Sequence, residues 1–158
     1  MTENTLVVQK VRAAIKDRAL YLALLYRNFS QALPADKAEK LARQAIFEYG
    51  TLRGKRDSGK MTPESWIDSH VSKGSAAVFE SRVIRATTQC EQQMTFCPLV
   101  EAWQELGCSK EEIDLLCDIA MEGDRCRATY HNIPLVITHR IAAGDPYCCL
   151  VLTKTKEH

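Results

Sequence analysis

The sequence predicts an α+β fold, in which a helical N-terminal half packs on a four-stranded antiparallel sheet within one domain spanning residues 1–158. Three observations predict it. Apolar residues recur at three-to-four spacing through residues 6–50, the period of a helical face. From residue 79 to 97 the chain becomes rich in Val, Ile, Thr and Phe with polar residues between them, the mark of strands. Capping signals then open two more helices before a final hairpin, so residues 76–158 read β-β-α-α-β-β after a helical part over residues 1–75.

Residues 6–30 form one long amphipathic helix in this reading, with Val8, Val11, Ile15, Leu22, Leu25 and Phe29 on its apolar face. Arg18 falls on the same stripe. Either Ala19 takes the inward place and Arg18 snorkels to water, or the guanidinium enters a pocket and holds a substrate carboxylate. A second helix starts at Pro34, buries Ala38, Leu41, Ala42, Ala45, Ile46 and Tyr49, and stops at Gly50. Leu52 to Lys60 is basic and glycine-rich, a solvated loop without the spacing of a phosphate-cradling loop. Arg53 or Arg56 could still reach an anionic ligand. Thr62 and Pro63 start a short third helix carrying Trp66, Ile67 and His70 and ending near Gly74. A lone histidine such as His70 is more often a surface residue than a ligand.

Two antiparallel strands follow, near 79–88 and 91–97, turning around Gln89 to Glu91. Pro98 ends the second strand and starts a helix over 99–106, with Gly107 as its stop. Ser109 caps the next helix and Glu112 completes a capping box. That helix runs to about Tyr130 and turns Ile113, Leu116, Cys117, Ala120, Asp124 and Ala128 inward. Ile133 to Ile141 and Tyr147 to Thr155 make the closing hairpin around Gly144-Asp145-Pro146.

Several function classes are disfavoured. A formal net charge of +1 gives no electrostatic case for nucleic acid or an anionic membrane surface. No apolar run approaches the ~20 residues that span a bilayer. The first residues, Met1-Thr2-Glu3-Asn4, lack the basic start and apolar block of a secretion signal, so a cytoplasmic protein is expected. The seven cysteines fit that compartment, being odd in number and without a CxxC pair, which argues against a disulfide framework. An open antiparallel sheet edge favours a homo-oligomer.

Chemistry concentrates in the last third of the chain. Cys97 stands where a strand ends and a helix begins; either it is a buried cysteine that fixes the strand end, or the exposed N–H groups and dipole of the helix start lower its thiol pKa. Cys117 and Asp124 lie two helical turns apart on one face, and a carboxylate on an apolar face is rare unless paired or used. Asp124 is therefore ion-paired with an arginine or exposed past a frayed helix end, or else it is a general acid/base or the orienter of one. Cys148 and Cys149 are adjacent on a strand and face opposite sides. His131 and His139 have no HxH or HExxH spacing, and nothing in the cysteine spacing supports a zinc site.

On these residues the chain resembles a known family. Cys97-Pro98-Leu99, Trp103, Gly107, Glu111-Glu112, Cys117-Asp118, Asp124, Gly144-Asp145 and Cys148, together with Arg18-Ala19, Tyr49-Gly50 and Arg53-Gly54, are similar to the L-2-amino-thiazoline-4-carboxylic acid hydrolase family. The resemblance implies a fold related to vinyl-reductase-like small-ligand domains. It implies hydrolytic opening of a small cyclic isothiourea, 2-aminothiazoline-4-carboxylate, to N-carbamoyl-cysteine. The expected catalytic residues are Cys97, Asp124 and Cys117, and the expected substrate-binding residues Arg18, Arg53, Trp103, Asp145 and Cys148. In one version Cys97 attacks and forms a covalent intermediate. In the other it only shapes the pocket while a carboxylate activates water. Some proteins of related fold bind zinc through cysteines and a glutamate around a Gly-x-x-x-Cys hairpin. Here Cys148 is present, but Thr138-His139-Arg140 offers no matching ligand, so no metal and no cofactor is expected. The partner expected is a small, carboxylate-bearing substrate. The rival reading is a non-catalytic small-molecule binding or sensing domain.

Overall fold

A helix of 30 residues, α1 (Glu3–Ala32), opens the fold in the computed structural model, which describes residues 3–72 and 76–154. Its closest packing is made by small residues. Ala19 and Ala23 are fully buried, and the Ala19 carbonyl accepts a hydrogen bond from Trp103 Nε1 at 2.8 Å. Ala19 thus takes the inward place, and Arg18 beside it is exposed. Leu25 and Phe29, expected on the buried face, are 51% and 42% exposed. A helix that packs through alanines approaches its neighbour so closely that larger residues are moved to the flanks. The same correction holds for Leu41 and Tyr49 on α2 (Ala35–Arg56), which are exposed while Ala38 and Ala42 are buried.

Helix α2 also corrects the expected stop at Gly50, since it continues for six residues beyond that glycine to Arg56. Gly50 is an interior contact with α6 (Lys110–Tyr130). A Cβ at Gly50 would meet the Gly123 carbonyl oxygen at 2.6 Å and Cys126 Cβ at 2.8 Å, and one at Gly54 would meet the Tyr130 ring at 2.7 Å. The backbones of α2 and α6 touch there, and no side chain fits between them. Gly50→Ala is therefore expected to cost about 1–3 kcal/mol despite alanine's better helix propensity. The measurement is thermal denaturation, and an unchanged or raised Tm would contradict the close contact.

Local signals place the other helices well. In α3 (Pro63–His70), Thr62 Oγ1 accepts from the Ser65 N–H at 3.2 Å and Ser65 Oγ accepts from the Thr62 N–H at 2.9 Å. The helix end expected near Gly74 lies outside the described residues. After the short α4 (Ala76–Val78), β1 (Ser81–Arg85) and β2 (Gln89–Met94) pair with Arg85 opposite Cys90. The connection lies at residues 86–88, earlier than expected, because Ala86 N–H bonds to the Gln89 carbonyl at 2.9 Å and closes the turn there. Cys97 is the N-cap of α5 (Pro98–Glu105), and Gly107 stops that segment with φ of 76°. Ser109 caps α6 through the Glu112 N–H, but the Glu112 carboxylate turns to Arg27 at 2.6 Å, so the capping box is only half closed.

The last hairpin is β3 (Leu135–His139), a 3-10 turn (Ile141–Ala143) and β4 (Cys148–Thr153). The sheet is four-stranded and antiparallel in the order β1-β2-β4-β3, so β4 pairs with both hairpins and closes the expected α+β architecture. One apolar cluster joins α1, α5 and α6 around Trp103 and Leu116; a second sits on the sheet around Trp66, Ile67, Leu150 and Leu152. No described helix is long and apolar enough to cross a membrane.

Candidate active site

A cavity of about 600 Å³ is walled by α1, α2, α5, α6, the end of α3 and residues of β2 to β4. Its size is in the range of small-molecule sites. The wall has two chemically distinct regions, set by which turn of α6 faces them.

At one region α2 crosses α6 through the glycine contact, and that crossing presents Arg53 to Asp124. Arg53 Nη1 donates to Asp124 Oδ1 at 2.9 Å, with the two side chains 23% and 12% exposed. The carboxylate on the apolar face of α6 is thus ion-paired. His70 joins them from the end of α3. Its Nδ1 lies 2.8 Å from Gln92 Oε1, whose amide nitrogen donates to Ser81 Oγ at 3.3 Å, so the imidazole Nδ1 is the donor to Gln92. Burial lowers the His70 pKa against the opposing charge of Asp124, which leaves a neutral imidazole at pH 7. Below it, Arg127 grips Asp57 bidentately at 2.8 and 2.7 Å. His131 Nδ1 accepts from the Met61 N–H, so its Nε2 donates to Asp57 at 2.9 Å. Burial pushes the Asp57 pKa up, but hydrogen bonds from Arg127 and His131 together outweigh it and hold the pKa at about 2.

At the other region, about 10 Å along α6 by the helical rise, stand the thiols. Cys97, Cys117 and Cys148 all line the cavity, and each feels at least one of the others electrostatically. Burial pushes Cys97 up to about 11, and the N–H groups at the start of α5 offset only part of this. Burial and the neighbouring thiols push Cys117 up to about 12. Cys148, which accepts from the Ile141 N–H at 3.3 Å, is raised as well by burial. The expectation of a depressed Cys97 pKa is therefore corrected: the helix terminus is present, but desolvation of the thiolate exceeds it. Among the described residues no three side chains of metal-ligating type converge on a metal-binding arrangement.

Of the residues singled out from sequence, Cys97, Cys117, Asp124, Arg18, Arg53, Trp103 and Cys148 all face this one cavity. Trp103 presents only its ring, because Nε1 is committed to the Ala19 carbonyl. Asp145 is not on the wall; its carboxylate accepts from the Arg140 N–H at 2.8 Å and fixes the turn before β4. Sequence reasoning missed His70, Asp57 and Arg127. Asp57 sat in a segment read as solvated loop, yet its side chain is 7% exposed. The available signal was an Asp-to-Arg pairing across 70 residues, which no local pattern reveals.

The sequence model of the L-2-amino-thiazoline-4-carboxylic acid hydrolase family matches residues 12–151. No curated protein matches the sequence.

Proposed function

Because the chain belongs to the L-2-amino-thiazoline-4-carboxylic acid hydrolase family, we propose that it is a hydrolase opening a small cyclic isothiourea or amidine such as 2-aminothiazoline-4-carboxylate. The observation that carries this reading is that one cavity has the Arg53–Asp124 pair, neutral His70 and three thiols on its wall.

The chemistry has a definite balance. Water oxygen bonds to the ring carbon between sulfur and the two nitrogens, and the ring nitrogen takes up a proton. The carbon–sulfur bond then breaks, the added oxygen becomes the carbonyl, and sulfur leaves as a thiolate that takes a proton. The product is N-carbamoyl-cysteine. Asp124 and His70 are the acid/base side chains on this wall that would move these protons, and Arg53 fixes the position of the Asp124 side chain at 2.9 Å. A thiol with a pKa near 11 is almost wholly protonated at pH 7, which favours direct attack by water over attack by Cys97. The thiols then form a soft, apolar wall suited to the ring sulfur. A cavity of about 600 Å³ accommodates an acid built on one five-membered ring together with the reacting water.

The test is turnover of 2-aminothiazoline-4-carboxylate by the purified chain, followed by appearance of N-carbamoyl-cysteine. Turnover by the wild type is expected, and Cys97→Ala should lower kcat no more than about tenfold, because water needs no thiolate. A loss beyond about a thousandfold, with a covalent adduct on Cys97 in the wild type by mass spectrometry, would transfer the attack to the thiol. Thermal stabilisation by the compound without product would replace the hydrolase reading with that of a binding domain.

A further inference from the structure

Arg127 has one nitrogen that no described residue answers. Its side chain is 1% exposed. Nε and Nη2 are held by the Asp57 carboxylate, and Nη2 also donates to Ser69 Oγ at 2.8 Å. The guanidinium lies 5.2 Å from the centre of the Trp66 ring. Among the described residues Nη1 is buried with no hydrogen-bond partner, and Arg127 is part of the cavity wall. Buried donors of a charged group are almost always satisfied, so an orphan on a side chain that lines a cavity points to an acceptor that arrives there.

Relying on the proposed hydrolysis, we infer that Arg127 Nη1 is the receptor for the substrate carboxylate. The other candidates are less suited. Arg18 is exposed, so water competes for its charge, and Arg53 is already committed to Asp124. Arg127 is fixed before any ligand arrives: Asp57, Ser69 and the Trp66 ring hold its plane, so binding orders no further side-chain torsion. Position on the helix agrees. Arg127 lies three residues after Asp124, one turn along the same face of α6, where neighbouring side chains stand about 5–6 Å apart at Cβ. A carboxylate held at Nη1 sets the attached ring beside Asp124, with the thiol-lined region beyond it. The site therefore selects small cyclic acids over their uncharged analogues.

The test uses two probes that lack the reactive carbon, thiazolidine-4-carboxylate and thiazolidine, titrated into the full chain by calorimetry. The wild type should prefer the acid by roughly tenfold or more, the size of one charge-assisted hydrogen bond. Arg127→Lys, which keeps the charge toward Asp57 but lacks the fork, should bring the two affinities within about twofold. A crystal of the wild type with thiazolidine-4-carboxylate should place a carboxylate oxygen within hydrogen-bond distance of Nη1, a readout that holds even where the variant does not fold. No preference for the acid in the wild type, an undiminished preference in a folded Arg127→Lys, or a carboxylate seated on Arg18 or Arg53 would each overturn the assignment. Parallel turnover of 2-aminothiazoline-4-carboxylate separates the two readings. An Arg127-dependent preference without turnover removes the hydrolase and keeps the receptor; turnover with KM unchanged in Arg127→Lys does the reverse.

Discussion

Asp124→Asn should lower kcat for 2-aminothiazoline-4-carboxylate by about a hundredfold to ten-thousandfold, the span that a positioned acid or base contributes. The substitution keeps the shape of the side chain and removes its charge and its ability to exchange a proton. It also leaves Arg53 without its partner at 2.9 Å, so some stability is lost. Because the pair is partly reached by water, that loss should be about 1–2 kcal/mol rather than the larger penalty of a sealed ion. Steady-state kinetics and a thermal melt on the same sample separate the two effects. Asp118→Asn is the control. Asp118 lies on the same helix and is bound by Arg43 at 2.7 Å and Arg125 at 2.6 Å, but it is not on the cavity wall. Its removal should alter stability while kcat stays near the wild-type value. Equal kcat in the Asp124 variant and the wild type would remove Asp124 from the chemistry.

The second large effect is on stability. Asp57→Asn should cost about 3–5 kcal/mol at pH 7, the usual consequence of deleting one member of a buried pair. Asp57 and Arg127 are 7% and 1% exposed, and with the carboxylate gone the Arg127 guanidinium is left without a counter-ion. The same residue sets an acid limb in the wild type. Its pKa falls from an ordinary 3.8 to about 2 on folding, so the unfolded chain takes up the proton first as pH drops. Stability from this carboxylate is complete above about pH 4 and is lost as pH falls from there through about 2, an amount of about 2.5 kcal/mol. Urea unfolding across that range measures it. The wild type should lose stability on acidification, and the Asp57→Asn variant should lack this part of the slope. Parallel slopes in the two proteins would show that Asp57 does not carry the acid sensitivity.

What could be read from the chain alone was what local chemistry controls. Thr62-Pro63 and Ser109 start helices by satisfying backbone N–H groups within three residues, and the structure has both caps. The two-turn spacing of Cys117 and Asp124 put them on one face, and both line the cavity. Gly50 was misread because a glycine that ends a helix and one that admits a second helix look alike in a single sequence. Only the presence of Gly123 and Cys126 opposite it decides. The Cys97 pKa was misjudged because a terminus is visible in sequence and burial is not. His70 was misplaced for the same reason: its surroundings come from Gln92 on β2, 22 residues away in the chain. Arg127 gave no signal at all, since an arginine on a helix is ordinary until its partner in a distant segment removes it from water.

The glycine contact between α2 and α6 has a bearing on rate as well as on stability. Arg53 is one turn beyond Gly50, and Asp124 directly follows Gly123, so both charged groups spring from the spot where two main chains abut. Their separation is set by covalent scaffolding, with little left to side-chain wandering. Such a dipole has scant reorganisation to undergo when charge develops nearby, the condition under which a fixed electrostatic environment lowers a barrier most. Loosening the seam should therefore slow the reaction before it unfolds the protein.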